Sequence, residues 1–290
     1  MALALCLGPL SFRLITLDLD DTLWPTAPVV AAANAALAAA LGATPSELHA
    51  RLRAERLRAS PPPSYSEARV LAVESWLASR EGPSPAHRAT AERLFQLWLR
   101  ERHAAAEERL FSGAAAAVAA ARRRHPEAAV AAVTNGRGDP LAMPALAPLF
   151  DFTVSAEHAS IYPARKPEAA PFLAALRRVG LEGREGAWAH VGDDVLNDVL
   201  AAKRLGAWAV WLDGGGGGEG EREAAAAAWV STMGEAEREE RARQARKAVG
   251  VADVVIRDIS ELPDALPSPA DRQRRAGSAR AGGGGDLYLG

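Results

Sequence analysis

Leu14-Ile15-Thr16-Leu17-Asp18-Leu19-Asp20-Asp21-Thr22-Leu23 is the stretch whose reading decides the fold. It opens apolar and β-branched, as a buried strand does, then places three acidic residues within four positions where that strand has to end. Crowded carboxylates beside a low-dielectric sheet are costly unless a cation or protons relieve them. Asp18 and Asp20 stand two apart, so in extended backbone they project to one side. The pattern predicts a metal-assisted nucleophile with a neighbouring acid/base. The competing reading is an acidic surface turn.

Moving outward, the pattern turns helical after Leu23. Val29 to Leu41 is Ala-rich, and Thr44-Pro45-Ser46-Glu47 forms a capping box with proline at the first helical position. Two more helices are expected near Ser66 to Ala78 and Pro85 to Glu108, the second with Leu94, Phe95, Trp98 and Leu99 on one packing stripe. Residues 25–108 thus read as an all-helical insertion placed like a lid. Ser112 is the expected cap of the next helix, which ends at Arg122-Arg123-Arg124, a solvated terminus favoured by the helix dipole. Ala128 to Val133, Phe152 to Val154, Trp188 to Val191 and Trp208 to Leu212 read as strands, with helices over 166–179 and 198–205 between them. Alternation with near-continuous apolar strands predicts an α/β fold around a parallel sheet covered on both faces. Residues 1–24 and 109–266 form the expected core domain, and Val254 to Ile256 its edge strand. Gly214 to Gly218 reads as a connector into a helical stretch, Glu219 to Lys247, and residues 267–290 as a disordered tail.

The 290 residues can bury a full core, and a net charge of −2 does not point to nucleic acid or an anionic membrane as partner. The single cysteine, Cys6, allows no internal disulfide and no Cys-based zinc site, which suits a reducing compartment. No apolar run has the length of a membrane span, and Met1 to Leu10 lacks the basic region and cleavage site of a secretory signal. The expectation is a soluble intracellular protein of the cytoplasm or an organelle stroma, monomeric or homodimeric.

Four strand ends carry different polar groups: Asp18 and Asp20; Thr134, Asn135 and Gly136; Lys166, on a loop; and Asp193 and Asp194 with Asp198. In an open parallel sheet, ligands bind outside the carboxyl ends of the strands, so these segments can converge. Each has a plain alternative as a turn, a cap or a surface lysine. His190 reads as a packed strand histidine, and Arg137-Gly138-Asp139 carries no weight as an adhesion tripeptide.

In this order, the four groups resemble the motifs of the haloacid dehalogenase superfamily of aspartate-nucleophile phosphohydrolases. Asp18-Leu19-Asp20-Asp21-Thr22 is similar to its first motif, Thr134-Asn135 to its second, Lys166 to its third, and Gly192-Asp193-Asp194 through Asp198 to its fourth. The helical insertion is similar to the family's C1 cap, and the core is expected to be Rossmann-like. Val133-Thr134-Asn135-Gly136 and His190-Val191-Gly192-Asp193-Asp194 look closest to the flavin-pathway phosphatases, which act on flavin mononucleotide or on the ribitylaminouracil phosphate precursor of riboflavin.

The resemblance implies a small phosphate ester as substrate. Asp18 would attack phosphorus, and Asp20 would protonate the leaving alcohol. Asp20 is expected to start protonated through crowding by Asp18 and Asp193. Mg²⁺ would be held by Asp18, Asp193 and the Asp20 carbonyl. Thr134 and the N–H groups of Asn135 and Gly136 would hold phosphoryl oxygens, Lys166 would add charge, and Asp194 and Asp198 would support the metal shell or Lys166. Substrate choice would fall to the insertion through Arg69 and to Trp24, which could stack on a planar ring; the plain readings are a solvated arginine and a packed tryptophan. The alternatives are a phosphoglycolate or sugar-phosphate phosphatase, a metal-free 2-haloacid dehalogenase attacking carbon, and a non-catalytic binding member of the fold.

Overall fold

The acidic stretch leaves the sheet from its middle. Leu14–Leu17 forms β1, buried throughout, between β2 (Ala129–Thr134) and β4 (Trp188–Gly192). The structure is a computed structural model that describes residues 11–213 and 250–268, with residues 243 and 271. With β3 (Phe152–Ser155), β5 (Trp208–Leu212) and β6 (Val254–Ile256) the six strands pair in parallel in the order β3-β2-β1-β4-β5-β6. This is the Rossmann order, and winding reverses between β1 and β4, which opens a crevice at their carboxyl ends. Leu17 lies level with Ala132 of β2 and Val191 of β4, so Asp18, Thr134 and Asp193 all stand at one end of the sheet.

Alternation of side chains sends β1 into two cores. Ile15 and Leu17 join Val130, Ala132, Val191 and Val210 on the face covered by α5 (Ala114–Arg124) and α8 (Leu262–Ala265). Leu14 joins Ala131, Val133 and Trp188 on the opposite face, beneath α6 (Ala170–Arg178) and α7 (Ala201–Arg204). Both faces are covered, which is why the strands read as continuous apolar runs.

Between β1 and α5 the insertion is built from four helices: α1 (Thr26–Leu41), α2 (Pro45–Arg58), α3 (Tyr65–Glu81) and α4 (Ala86–Glu108). They close over a separate apolar cluster containing Leu37, Val73, Trp76, Phe95 and Trp98. The capping box at Thr44 and Glu47 forms in both directions. The insertion is tied to the strand ends at several points. The Glu157 carboxylate accepts from the Tyr65 and Ser66 N–H groups at the start of α3 (3.2 and 2.7 Å), and the Tyr162 hydroxyl donates to the Pro62 carbonyl. Glu107 accepts from the Ala145 N–H at 2.7 Å.

Three boundaries differ from expectation. The helix expected from Ser112 is entered through Gly113 instead, at φ 77°, a left-handed conformation that only glycine takes without a Cβ penalty. The helix expected from Lys166 begins at Ala170, because Lys166 and Pro167 belong to the loop that carries the amine to the site. The expected 198–205 helix is a π-helical segment, Val195–Leu200, running into α7. The connector from Gly214, the helix expected over Glu219 to Lys247 and most of the tail from Pro267 lie outside the described residues. No single described helix is long and apolar enough to cross a membrane.

Candidate active site

Asp18 is the first residue past β1, its backbone N–H held by the Val191 carbonyl at 2.8 Å. Only 8 % of it is exposed. Lys166 reaches it from the far side of the crevice: Nζ donates to Asp18 Oδ1 and to Asp198 Oδ1, both at 2.6 Å. Asn135 holds the lysine's backbone in both directions, its Oδ1 accepting from the Lys166 N–H (2.8 Å) and its Nδ2 donating to the Lys166 carbonyl (3.0 Å). Asn135 therefore fixes Lys166 through its side chain.

The π-helical segment explains how Asp198 comes inside. Asp194 accepts from the Leu196 and Asn197 N–H groups (2.8 and 3.0 Å) and starts the wide turn on which Asp198 sits, nearly inaccessible. Asp198 then binds Lys166 and His190 with Oδ1 and the Asp194 N–H with Oδ2. Gly192 is needed at this crossing, because a Cβ there would collide with the Asp198 side chain. His190 is packed, as expected, and bridges Asp198 to Thr16 with a ring nitrogen on each (3.1 and 2.7 Å). Asp194 caps this segment, and Asp198 holds Lys166.

Electrostatics separates these carboxyls. Burial pushes Asp18 up to about 8, against the pull of Lys166 and with the help of Asp198. Burial also raises Asp193 well above the usual range, with Asp18 and Asp198 adding repulsion. Asp198 is buried too, but Lys166 and His190 outweigh that cost and hold it at about 2. Lys166 stays protonated because its two carboxylate partners outweigh its own burial. Asp18 and Asp193 are thus the two carboxyls whose burial outweighs the positive charge near them, and their oxygens lie close together.

That shortage tests whether a metal fits. Carboxylate oxygens of Asp18, Asp193 and Asp198 lie within 4.8 Å of one another. Asp198 is already engaged, so Asp18 and Asp193 are the pair a divalent cation would relieve, and hard oxygen donors suit one. Asp193 is aimed by the Thr22 hydroxyl, which donates to it at 3.0 Å. The residues fit.

Thr134 ends β2 and is buried; its hydroxyl accepts from the Gly136 N–H at 2.9 Å, a bond that does not use the hydroxyl proton. The Gly136 N–H is engaged there, which corrects its expected role as a direct phosphoryl donor. Trp24 is also corrected. It is fully buried, and its indole Nε1 donates to Asp20 Oδ1 at 2.9 Å, so the ring does not face a substrate. The turn that returns it is closed by Asp21 at φ 63°. Arg69 stacks its guanidinium 3.8 Å from the Trp98 ring centroid and donates to the Tyr65 carbonyl at 3.3 Å, while burial lowers it to about 10. It faces the junction of insertion and core.

One residue of the site was not anticipated. Arg102 of α4, 2 % exposed, donates through Nη2 to both oxygens of Asp20, at 2.6 and 2.8 Å. Asp20 was expected in the company of Asp18 and Asp193; its nearest partners are instead a guanidinium and an indole. Beside this loop lies a cavity of about 430 Å³, lined by Leu99, His103, Arg137, Ser155, His158 and Arg178 among others, with no Phe, Tyr or Trp.

The family model described as a hydrolase, haloacid dehalogenase-like, matches residues 12–206, and the chain belongs to that family. No curated protein matches it. Among solved structures, a 2-haloacid dehalogenase from Pseudomonas syringae pv. tomato is similar at 27 % identity and a TM-score of 0.64, covering 88 % of this chain and 98 % of its own. The magnesium-bound hydrolase YfnB from Bacillus subtilis shares the fold at 16 % identity and a TM-score of 0.50, covering 88 % and 99 %. A phosphatase from Thermococcus onnurineus has 20 % identity and a TM-score of 0.48, covering 89 % and 99 %.

Proposed function

We propose that this haloacid dehalogenase-like hydrolase is a Mg²⁺-dependent phosphatase of a small phosphorylated metabolite, working through an aspartyl-phosphate on Asp18. The observation that carries the reading is the close grouping of the buried carboxyls Asp18 and Asp193 beside a dedicated lysine, with an acid, Asp20, two residues on. Attack on carbon needs neither a cation nor a leaving-group acid, whereas phosphoryl transfer uses both.

An Asp18 carboxylate oxygen attacks phosphorus, and the bond to the leaving oxygen breaks as that oxygen takes a proton from Asp20. Water then attacks the phosphorus of the acyl phosphate and passes a proton to Asp20, releasing phosphate and restoring Asp18. Splitting one displacement in two lowers each barrier. Lys166 and the Thr134 hydroxyl face the charge on the equatorial oxygens, and both are pre-positioned, by Asn135 and Asp198 and by the Gly136 N–H. Asp18 and Asp193 would hold the cation, whose charge would offset repulsion between the nucleophile and a phosphate dianion.

For substrate class, the flavin-pathway reading is retained, with the ribitylaminouracil phosphate as the first compound to test. Arg69 is the proposed recognition group on the insertion. The test is a phosphate-release screen with Mg²⁺ across the ribitylaminouracil phosphate, flavin mononucleotide, phosphoglycolate, sugar phosphates and nucleotides. Preference for the first supports this reading, and equal rates on all leave only the general phosphatase.

A second reading is a 2-haloacid dehalogenase, favoured by the Pseudomonas syringae structure. It leaves Asp20 and the Asp193 carboxylate without a task.

A further inference from the structure

Arg102 is costly where it stands. It belongs to α4 with Arg88, Arg93 and Arg100, which keep their heads toward solvent, yet it alone among these four is buried. Taking a guanidinium out of water is repaid only when its hydrogen bonds are complete, and Arg102 Nη1 has no hydrogen-bond partner among the described residues. Apolar residues in place of both Arg102 and Asp20 would serve stability at least as well. The opposing loop is nevertheless shaped around the pair. A Cβ at Gly138 would stand 3.0 Å from Arg102 Nη1, and a Cβ at Gly136 would stand 2.8 Å from Asp20 Oδ2. Gly136 thus leaves room for the carboxylate, and Gly138 for the guanidinium together with Leu19 and Trp24, which a Cβ would meet at the same 3.0 Å. Trp24 closes the third side through its bond to Asp20 Oδ1.

We propose that Arg102 is a positioning residue for the proton-transfer step: from the helical insertion it fixes the carboxylate of Asp20 in the rotamer that meets the leaving-group oxygen. The assignment rests on the phosphatase reading above. The proton itself moves between Asp20 and the leaving oxygen, and Arg102 neither gains nor loses one. Because α4 belongs to the insertion and Asp20 to the core, the acid is oriented only when the insertion is seated.

An ester whose leaving group needs no proton distinguishes this role from a structural one. We would compare kcat/KM with Mg²⁺ for p-nitrophenyl phosphate and for β-glycerophosphate in wild type, Arg102→Met, Arg102→Lys, Asp20→Asn and the Asp20→Asn/Arg102→Met double variant. Arg102→Met is expected to lose on the order of 100-fold on the alkyl ester and only about 3-fold on the aryl ester, and Arg102→Lys to fall between it and wild type. In the Asp20→Asn background, removal of Arg102 is expected to change the alkyl rate by less than about 2-fold, since its effect runs through Asp20. Circular dichroism checks folding; should Arg102→Met fail to fold, Arg102→Lys carries the same comparison. Equal losses on both esters, or a full further loss on top of Asp20→Asn, would overturn the assignment while leaving the phosphatase reading intact. A wild type that hydrolyses neither ester overturns that reading and this one with it.

Discussion

Lys166 Nζ stands 2.6 Å from Asp18 Oδ1, although 148 positions separate the two residues in the chain. The same nitrogen stands 2.6 Å from Asp198, so one buried ammonium group is shared by two carboxyls at different strand ends. Asp198 thereby sets where the amine can go, and Asn135 sets where its backbone starts.

Removing that cation leaves carboxylates facing each other in a dry site. Lys166→Met is expected to lower stability by about 3–5 kcal/mol in urea denaturation, the range for breaking one side of a buried pair. Phosphate release should fall by at least about 100-fold in the same variant. Stability near that of wild type would mean that the buried contacts are weaker than their distances imply.

Gly192→Ala tests the crossing of β4 with the π-helical segment. The added methyl meets Asp198, whose position is held by three hydrogen bonds, so either the strand end or the carboxylate has to move. A loss of about 1–3 kcal/mol is expected, with a larger fall in kcat than in KM as Lys166 follows Asp198. Unchanged kcat would show that the carboxylate's place is not critical.

Much of this site is legible along the chain because each strand end announces itself locally. An apolar run that stops at Asp18-Leu19-Asp20, at Thr134-Asn135 or at Gly192-Asp193 states both its burial and the side of the sheet on which it ends. Arg102 could not be found that way. On α4 it is one arginine among several, and its burial depends on how that helix crosses the strand ends, which no local pattern encodes. Trp24 was misjudged for a related reason: an aromatic residue just past a site is equally compatible with facing the ligand or packing behind it, and its bond to Asp20 decides. The π-helical segment escaped because its apolar spacing matches an ordinary helix, while its widening answers to Asp194 and Asp198.

Linkage between pH and metal follows from Asp18 and Asp193. Burial raises Asp18 from 3.8 to about 8 and raises Asp193 as well, so the folded protein binds these protons more tightly than the unfolded chain. Without metal, their contribution to stability is present below the unfolded carboxylate range and is lost as pH rises through the folded values. Melting in EDTA should therefore show this contribution shrinking between about pH 5 and pH 8, and the rise in Tm on adding Mg²⁺ should be larger at the upper end. A Mg²⁺ effect of equal size at both ends would contradict the assignment of these two residues as the pair it relieves.

Glu157 seats the insertion by capping the start of α3 from the core. Glu157→Ala is expected to speed amide exchange at Tyr65 and Ser66 and to cost about 0.5–2 kcal/mol, as loss of a helix cap does. Exchange at wild-type rates would place the hold on the insertion elsewhere.

The account turns on Asp18 attacking phosphorus beside a divalent cation. The most direct measurement incubates wild type and Asp18→Asn with phosphate monoesters and with 2-chloropropionate, each with Mg²⁺ and with EDTA, and reads inorganic phosphate and chloride. The predicted result is phosphate from the wild type with Mg²⁺ alone, none from Asp18→Asn, and no chloride in any arm. Chloride released in EDTA, with no phosphate from any ester, would contradict it.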